Sequence, residues 1–157
     1  SIIQAHNLCY STLIPHEKLH LYPHLCPKDY ETFNLSSCTV HFVKAHKSVS
    51  LLSRLLTVWL GKRKSIRAEL EKCDDPTLKT ILDKQQLAIK VTCNAVYGFT
   101  GVASGMLPCL KIAETVTLQG RTMLEKSKAF VEAISPETLE NIVGYSVPHE
   151  PEASFRV

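Results

Sequence analysis

The chain contains no C-x-x-C pair, and its six cysteines, Cys9, Cys26, Cys38, Cys73, Cys93 and Cys109, follow no disulfide-framework spacing. This argues against a small disulfide scaffold and for a reducing compartment, cytosol or nucleus. No apolar run reaches the ~18 residues that a membrane helix needs. None of the glycine clusters ends in Gly-Lys-Ser/Thr, which excludes a phosphate-binding P-loop. There is no internal repeat, no low-complexity tract, and no basic region leading into an apolar core that would read as a signal peptide. The first residue is Ser1 rather than Met, and the expectation is an excised internal piece.

Charge of one sign is also scarce. The 157 residues carry 18 Lys/Arg against 15 Asp/Glu, a net +3, with the 45% hydrophobic content of ordinary globular protein. The balance is local, however. Between Lys44 and Lys90 there are eleven Lys/Arg and five Asp/Glu, whereas the remainder carries seven and ten. A basic segment on a mildly acidic chain suits a local polyanion site; a solvated helix surface is the other reading of the same charges.

The pattern along the chain is α+β and mainly helical. Residues 1–12 read as a short helix. Residues 13–47, with Pro15, Pro23 and Pro27, read as irregular with one strand at Thr39–Val43. Ser50 can cap a helix to about Lys72 whose apolar stripe is Leu52, Leu55, Leu56, Trp59, Ile66 and Leu70. Asp74-Asp75-Pro76 stops that helix and starts another, with Asp75 as cap and Pro76 at the first helical position, running to about Tyr97. So short a turn makes residues 50–97 an antiparallel hairpin. A loop at Gly98–Gly105, a third helix over about Pro108–Ala133 and a short fourth one from Ser135-Pro136-Glu137 follow. The end reads as loop, then the start of a strand. Residues 13–47 and 144–157 are expected to be looser than the hairpin.

One stretch is the most informative: Gln86–Gly105, QLAIKVTCNAVYGFTGVASG. At ~100° per residue, Lys90, Asn94 and Tyr97 share an arc of about 60°. Leu78, Ile81, Leu82, Ile89, Cys93 and Val96 take the opposite face. A cation, an amide and a phenol on one face suit a polar, partly aromatic ligand, Lys for phosphate and Tyr as a flat surface. Gly98 is expected to let the backbone leave the helix there.

Lys90-x-x-x-Asn94-x-x-Tyr97-Gly98 resembles the B motif of family B DNA polymerases, K-x-x-x-N-[SA]-x-Y-G. The opening SIIQAHNLCYST is similar to the downstream half of the family's A motif, D-F-x-S-L-Y-P-S-I-I. Phe155-Arg156-Val157 resembles the lead-in to its C motif, Y-G-D-T-D-S, and Thr117-x-x-Gly120-Arg121 a further signature. The resemblance covers essentially the whole chain. NLCYST, KVTCNAVYGFTGV and LPCL are most similar to herpesvirus polymerases, and SIIQAH with TVTLQGRTMLEKSK to their gammaherpesvirus branch.

The resemblance implies a template-directed DNA polymerase of viral genome replication in the host cell nucleus. Its substrates would be primer–template DNA and deoxynucleoside triphosphates, its cofactor Mg²⁺, and its partner a viral processivity factor; it would have no membrane association. Residues 50–97 would be the fingers hairpin, and residues 1–49 and 98–157 parts of the palm. The metal-binding aspartates of motifs A and C would lie upstream of Ser1 and beyond Val157. No catalytic or metal-binding residue is therefore nominated here: Asp29, Asp74, Asp75 and Asp83 match neither motif. Carried over residue by residue, Arg63, Arg67 and Lys90 would clamp the triphosphate, with Asn94 beside them. Tyr97, Gly98 and Gly101 would adjoin the nascent base pair and DNA. Thr117, Gly120 and Arg121 would give structural support.

Each residue also has a plainer reading. Arg63 falls within the apolar stripe, where a carboxylate partner, or a packed stem with its head in water, would suffice. Arg63 faces the apolar side of its helix and Lys90 the polar side of its own, so their convergence is not given by the helical wheel. Mid-helix Asn and amphipathic Tyr are common. Thr117 and Gly120 could serve helix packing alone. His16, His20, His24 and Cys26 are the best metal candidates, but Pro23 breaks the helix that would align them. Two rivals remain: a non-enzymatic helical nucleic-acid-binding module with a basic hairpin, and a structural zinc domain.

Overall fold

A computed structural model describes residues 1–157 as two compact units, Ser1–Thr117 and Leu118–Val157. The first unit begins with α1 (Ile2–Ala5), capped by the Ser1 hydroxyl. Three strands follow, β1 (Leu13–Pro15), β2 (Tyr30–Asn34) and β3 (Thr39–Val43), with short 3₁₀ turns at His16–Leu21 and Pro27–Asp29. They form an antiparallel sheet in the order β1-β3-β2, with Leu13 and Glu31 both opposite Phe42. Residues 13–47 thus hold three strands rather than one, and the expected looseness does not fit the buried central strand β3, whereas residues 16–28 between β1 and β2 are largely exposed. Val40 and Phe42 are fully buried with Phe33 and Leu8, and the cluster closes on Ile112. Burying a side chain such as Phe42 contributes about 1.5–3 kcal/mol, which anchors β3 at the centre of the sheet.

Two buried polar residues tie this layer together. Asn7, with φ 53°, donates its amide to Val43 O and Ser48 O, each at 2.7 Å, and accepts from Ser50 N at 2.9 Å. It therefore fixes α1, the end of β3 and the start of the next helix at once. Asp29 accepts from Cys26 N at 2.9 Å and meets His46 Nε2 at 3.1 Å and Lys47 Nζ at 3.4 Å.

The hairpin forms as its caps dictate. In α2 (Leu51–Lys72) the Ser50 hydroxyl accepts from Ser53 N; in α3 (Pro76–Gly101) the Asp75 carboxylate accepts from Thr77 N and Leu78 N. Leu52, Leu56 and Val96 are buried with Ile3 and Cys9, and Trp59, Cys93, Phe99 and Val116 pack against them. Nearer the turn only Ile66 and Leu82 are buried, whereas Leu78 and Ile81, assigned to the apolar face, are 45% and 48% exposed. The hairpin is anchored at its open end and projects at its turn.

α3 also runs past Gly98, which does not end the helix. A glycine inside a helix costs only ~1 kcal/mol against alanine, and no proline follows it before the helix ends at Gly101. Thr100 is buried and donates to Tyr97 O at 2.8 Å, keeping the last turn wound. Gly105 is the glycine the following turn requires, since a Cβ there would lie 3.0 Å from Val102 O.

α4 (Leu110–Glu132) starts in the first unit and continues in the second. In the second unit α5 (Pro136–Val143) is capped by Ser135 and ends on Gly144 at φ 79°. Glu140 accepts from Ser146 Oγ and Val147 N, each at 2.8 Å. Residues 155–157 form no strand; Val157 N instead donates to Glu132 at 3.2 Å.

Candidate functional site

Two clefts flank the hairpin within the first unit. One, of roughly 290 Å³, is lined by Leu60, Arg63, Lys64, Arg67, Ala68 and Glu71. This is one face of α2, where residues three and four apart stack into a basic row. The other, of roughly 320 Å³, lies among α1, α2, α3 and α4 and includes Leu56, Leu60, Asn94, Tyr97 and Val116. Leu60 lines both, so the cleft with the basic row and the cleft with the amide and the phenol share a wall.

Arg63 is half-buried, as its place in the apolar stripe requires, but its partner is no carboxylate. Its Nε donates to Gln86 Oε1 on α3 at 3.2 Å, and Gln86 Nε2 in turn donates to Asp83 Oδ1 at 3.0 Å. Arg67 is exposed and joins no ion pair. Lys90 is exposed, one turn before Asn94, and lines neither cleft. The structure therefore brings Arg63 together with Arg67, and Asn94 with Tyr97, but does not bring Lys90 into the lining that holds the arginines.

Tyr97 and Thr117, from separate sequence motifs, meet. Their hydroxyls are 3.1 Å apart, and Thr117 Oγ1 also lies 3.0 Å from Ala113 O. The carbonyl can only accept, so the single Thr117 proton goes there and Tyr97 donates to Thr117. The phenol oxygen keeps its lone pairs, and the ring, 41% exposed, is held at the mouth of the cleft. A Cβ on Gly98 would meet open space, while one on Gly101 would reach Ala113 Cβ at 3.5 Å, an ordinary contact. Gly120, half-buried, and Arg121, exposed, lie on the part of α4 in the second unit.

The histidine-rich segment makes no metal centre: no three metal-ligating side chains converge anywhere in the chain. His16 instead hydrogen-bonds His41 at 2.9 Å, and His41 meets Thr32 at 2.8 Å. Burial, and then the neighbouring His16, hold His41 below the ordinary imidazole range. No helix is long and apolar enough to cross a membrane.

The sequence reading missed Leu60, Lys64 and Gln86. An antiparallel hairpin turning at Asp74–Asp75 sets residue 63 opposite residue 86, so the Arg63 partner was within reach of the pattern. The link from Tyr97 to Thr117 was not, because it depends on how α4 returns.

The family model described as DNA polymerase family B matches residues 1–157. The chain belongs to the family B DNA polymerases. Among its relatives in the family, it is 74% identical over 157 residues to the DNA polymerase catalytic subunit of Saimiriine herpesvirus 2 (strain 11). It is 73% identical over 157 residues to that of Human herpesvirus 8 type P (isolate GK18), and 60% over 161 residues to that of Epstein-Barr virus (strain B95-8). In all three the match takes in 100% of this chain but only 16% of the relative. The herpesvirus wording of the motifs is thereby borne out. The fold is similar to the family B DNA polymerase of Pyrobaculum calidifontis, with a TM-score of 0.65 at 20% identity, over 99% of this chain and 22% of that one.

Proposed function

We propose that this chain is the segment of a template-directed herpesvirus DNA polymerase that holds the incoming deoxynucleoside triphosphate and one side of the nascent base pair. The observation that supports the reading is that Leu60 lines both clefts, the one with Arg63, Lys64 and Arg67 and the one with Asn94 and Tyr97. A nucleotide has the same layout, an anionic tail and an aromatic head.

In this reading residues 50–97, α2 and most of α3, are the fingers, and residues 1–49 and 98–157 contribute to the palm. Arg63 and Arg67 offer forked donors to the phosphates and Lys90 a compact charge that approaches as the substrate enters. Asn94 hydrogen-bonds the nucleotide, and the Tyr97 ring, held by Thr117, stacks against the template-side base. Gly98, open on its outer side, leaves room for the DNA backbone, and Gly101 on the same helix adjoins the base pair and DNA with it. Gly120 and Arg121 support the palm. Primer–template DNA is the polyanion that meets the basic segment; a processivity factor and the host nucleus complete the setting.

The Mg²⁺ of the family's two-metal chemistry finds no site here. Glu114 Oε2 is the one buried side-chain oxygen without a partner, and no second carboxylate converges on it. No catalytic step is assigned to these residues.

The test uses the full-length polymerase that carries this segment. Arg63→Ala, Arg67→Ala and Lys90→Ala are each expected to raise the nucleotide KM about ten- to a hundred-fold, a charge-assisted contact being worth ~1.5–3 kcal/mol. Primer–template affinity should change far less. An equal loss of DNA affinity with unchanged nucleotide dependence would favour a helical nucleic-acid-binding module instead.

A further inference from the structure

We infer that Gln86 is a positioning residue for Arg63, holding its guanidinium in the orientation that presents the terminal nitrogens to phosphate. The inference rests on the proposed role of Arg63 and deepens it. Arg63 projects from the half-buried seam of the hairpin, where a free guanidinium would turn about its stem or seek a carboxylate. Its Nε–H is instead taken by Gln86 Oε1 at 3.2 Å. Because guanidinium is planar, fixing the Nε–H direction fixes the plane, and both terminal nitrogens remain unengaged.

The choice of an amide follows from what lies behind it. Gln86 Nε2 donates to Asp83 Oδ1 at 3.0 Å, three residues back on α3. A group that both accepts and donates is needed between a guanidinium and a carboxylate, and the amide does so on two separate atoms. A glutamate would accept from Arg63 as an ion pair, competing with the triphosphate for the same cation, and would face Asp83 with like charge. A leucine would fill the space and leave Arg63 untethered. The carboxylate of Asp83 orients the amide without touching Arg63, so the clamp keeps its full positive charge.

Four variants of the full-length polymerase test this: Arg63→Ala, Gln86→Leu, their combination, and Gln86→Glu. Gln86→Leu should raise the nucleotide KM about three- to ten-fold, the range of one net hydrogen bond, with kcat and primer–template affinity little changed. The double variant should match Arg63→Ala alone, because Gln86 acts only through Arg63. Gln86→Glu keeps an acceptor for Arg63 yet should raise KM at least as much as Gln86→Leu, and more at low ionic strength. If Arg63→Ala raises KM but Gln86→Leu does not, or the two effects multiply, the positioning role is wrong while the clamp stands. If Arg63→Ala leaves KM unchanged, the clamp itself is wrong and the positioning role falls with it. A Gln86→Glu enzyme with the parent KM would also overturn the inference, and it serves where Gln86→Leu folds poorly.

Discussion

Asn7 is where the first unit is most exposed to a single substitution. Its side chain satisfies three main-chain groups, Val43 O, Ser48 O and Ser50 N, in a position only 2% exposed, and its backbone sits at φ 53°. Asn7→Ala removes all three bonds and leaves their partners buried, at ~1–3 kcal/mol for each group left unpaired. Because the groups are neighbours the costs do not add fully, and about 3–6 kcal/mol is expected. Alanine also pays ~1–2 kcal/mol for the left-handed backbone, which asparagine tolerates. The total rivals the ~5–15 kcal/mol stability of a whole domain. Asn7→Gly loses the same bonds without that strain, so it should be more stable than Asn7→Ala by about 1 kcal/mol. Asn7→Asp retains an acceptor for Ser50 N but turns a carboxylate oxygen on two carbonyls, and should be no better than alanine. Urea unfolding of the 157-residue chain, followed by circular dichroism, measures all three. An alanine variant within 1 kcal/mol of the parent would refute the role of Asn7 as the junction, and equal glycine and alanine variants would refute the backbone part.

Asp29 gives a pH signature. Main-chain donation from Cys26, then His46, with Lys47 adding its charge, holds its carboxyl down to about 2 from an ordinary 3.8. A lowered carboxyl stabilises the fold above its unfolded value, so that contribution should be complete above pH 4 and drain away as pH falls toward 2. Melting temperatures across that window should show the loss, and Asn at position 29 should flatten it; an identical profile in Asp29→Asn would contradict the assignment. Hydrogen exchange should protect residues 39–43 more strongly than residues 76–86, since β3 is central and buried while the hairpin turn carries exposed Leu78 and Ile81. The reverse order would move the core back to the hairpin.

What could be read from the sequence is what is local. Ser50, Asp75-Pro76 and Ser135-Pro136 announce helix starts within a few residues, and the α2 stripe is buried at Leu52, Leu56 and Ile66 and half-buried at Leu55, Trp59 and Leu70. The two missed strands are local failures with a non-local cause. β1 is three residues ending in proline at a sheet edge, and β2, Tyr-Glu-Thr-Phe-Asn, has Phe33 as its single buried residue. Each is a strand because β3 lies beside it, not because of its own composition. The Asn7 junction joins residues some 40 apart, and nothing in the run SIIQAHNL signals it. At the site, the basic row and the Lys90–Asn94–Tyr97 arc were legible because both are helical periodicities. The Gln86 tether and the Thr117 contact depend on how helices meet, and the helical wheel carries no such information.

Whether the groove holds a templated nucleotide can be read from the chemistry of Lys90. Pyridoxal 5′-phosphate pairs a phosphate with an aldehyde that captures a nearby amine, and borohydride makes the adduct permanent for peptide mapping. In the full-length polymerase bound to primer–template, Lys90 should be labelled, and the deoxynucleoside triphosphate complementary to the next template base should protect it. A mismatched triphosphate at the same concentration should protect it far less. Labelling of Lys90 that no triphosphate suppresses, or that DNA alone abolishes, would mean that this face grips nucleic-acid backbone and not the incoming nucleotide.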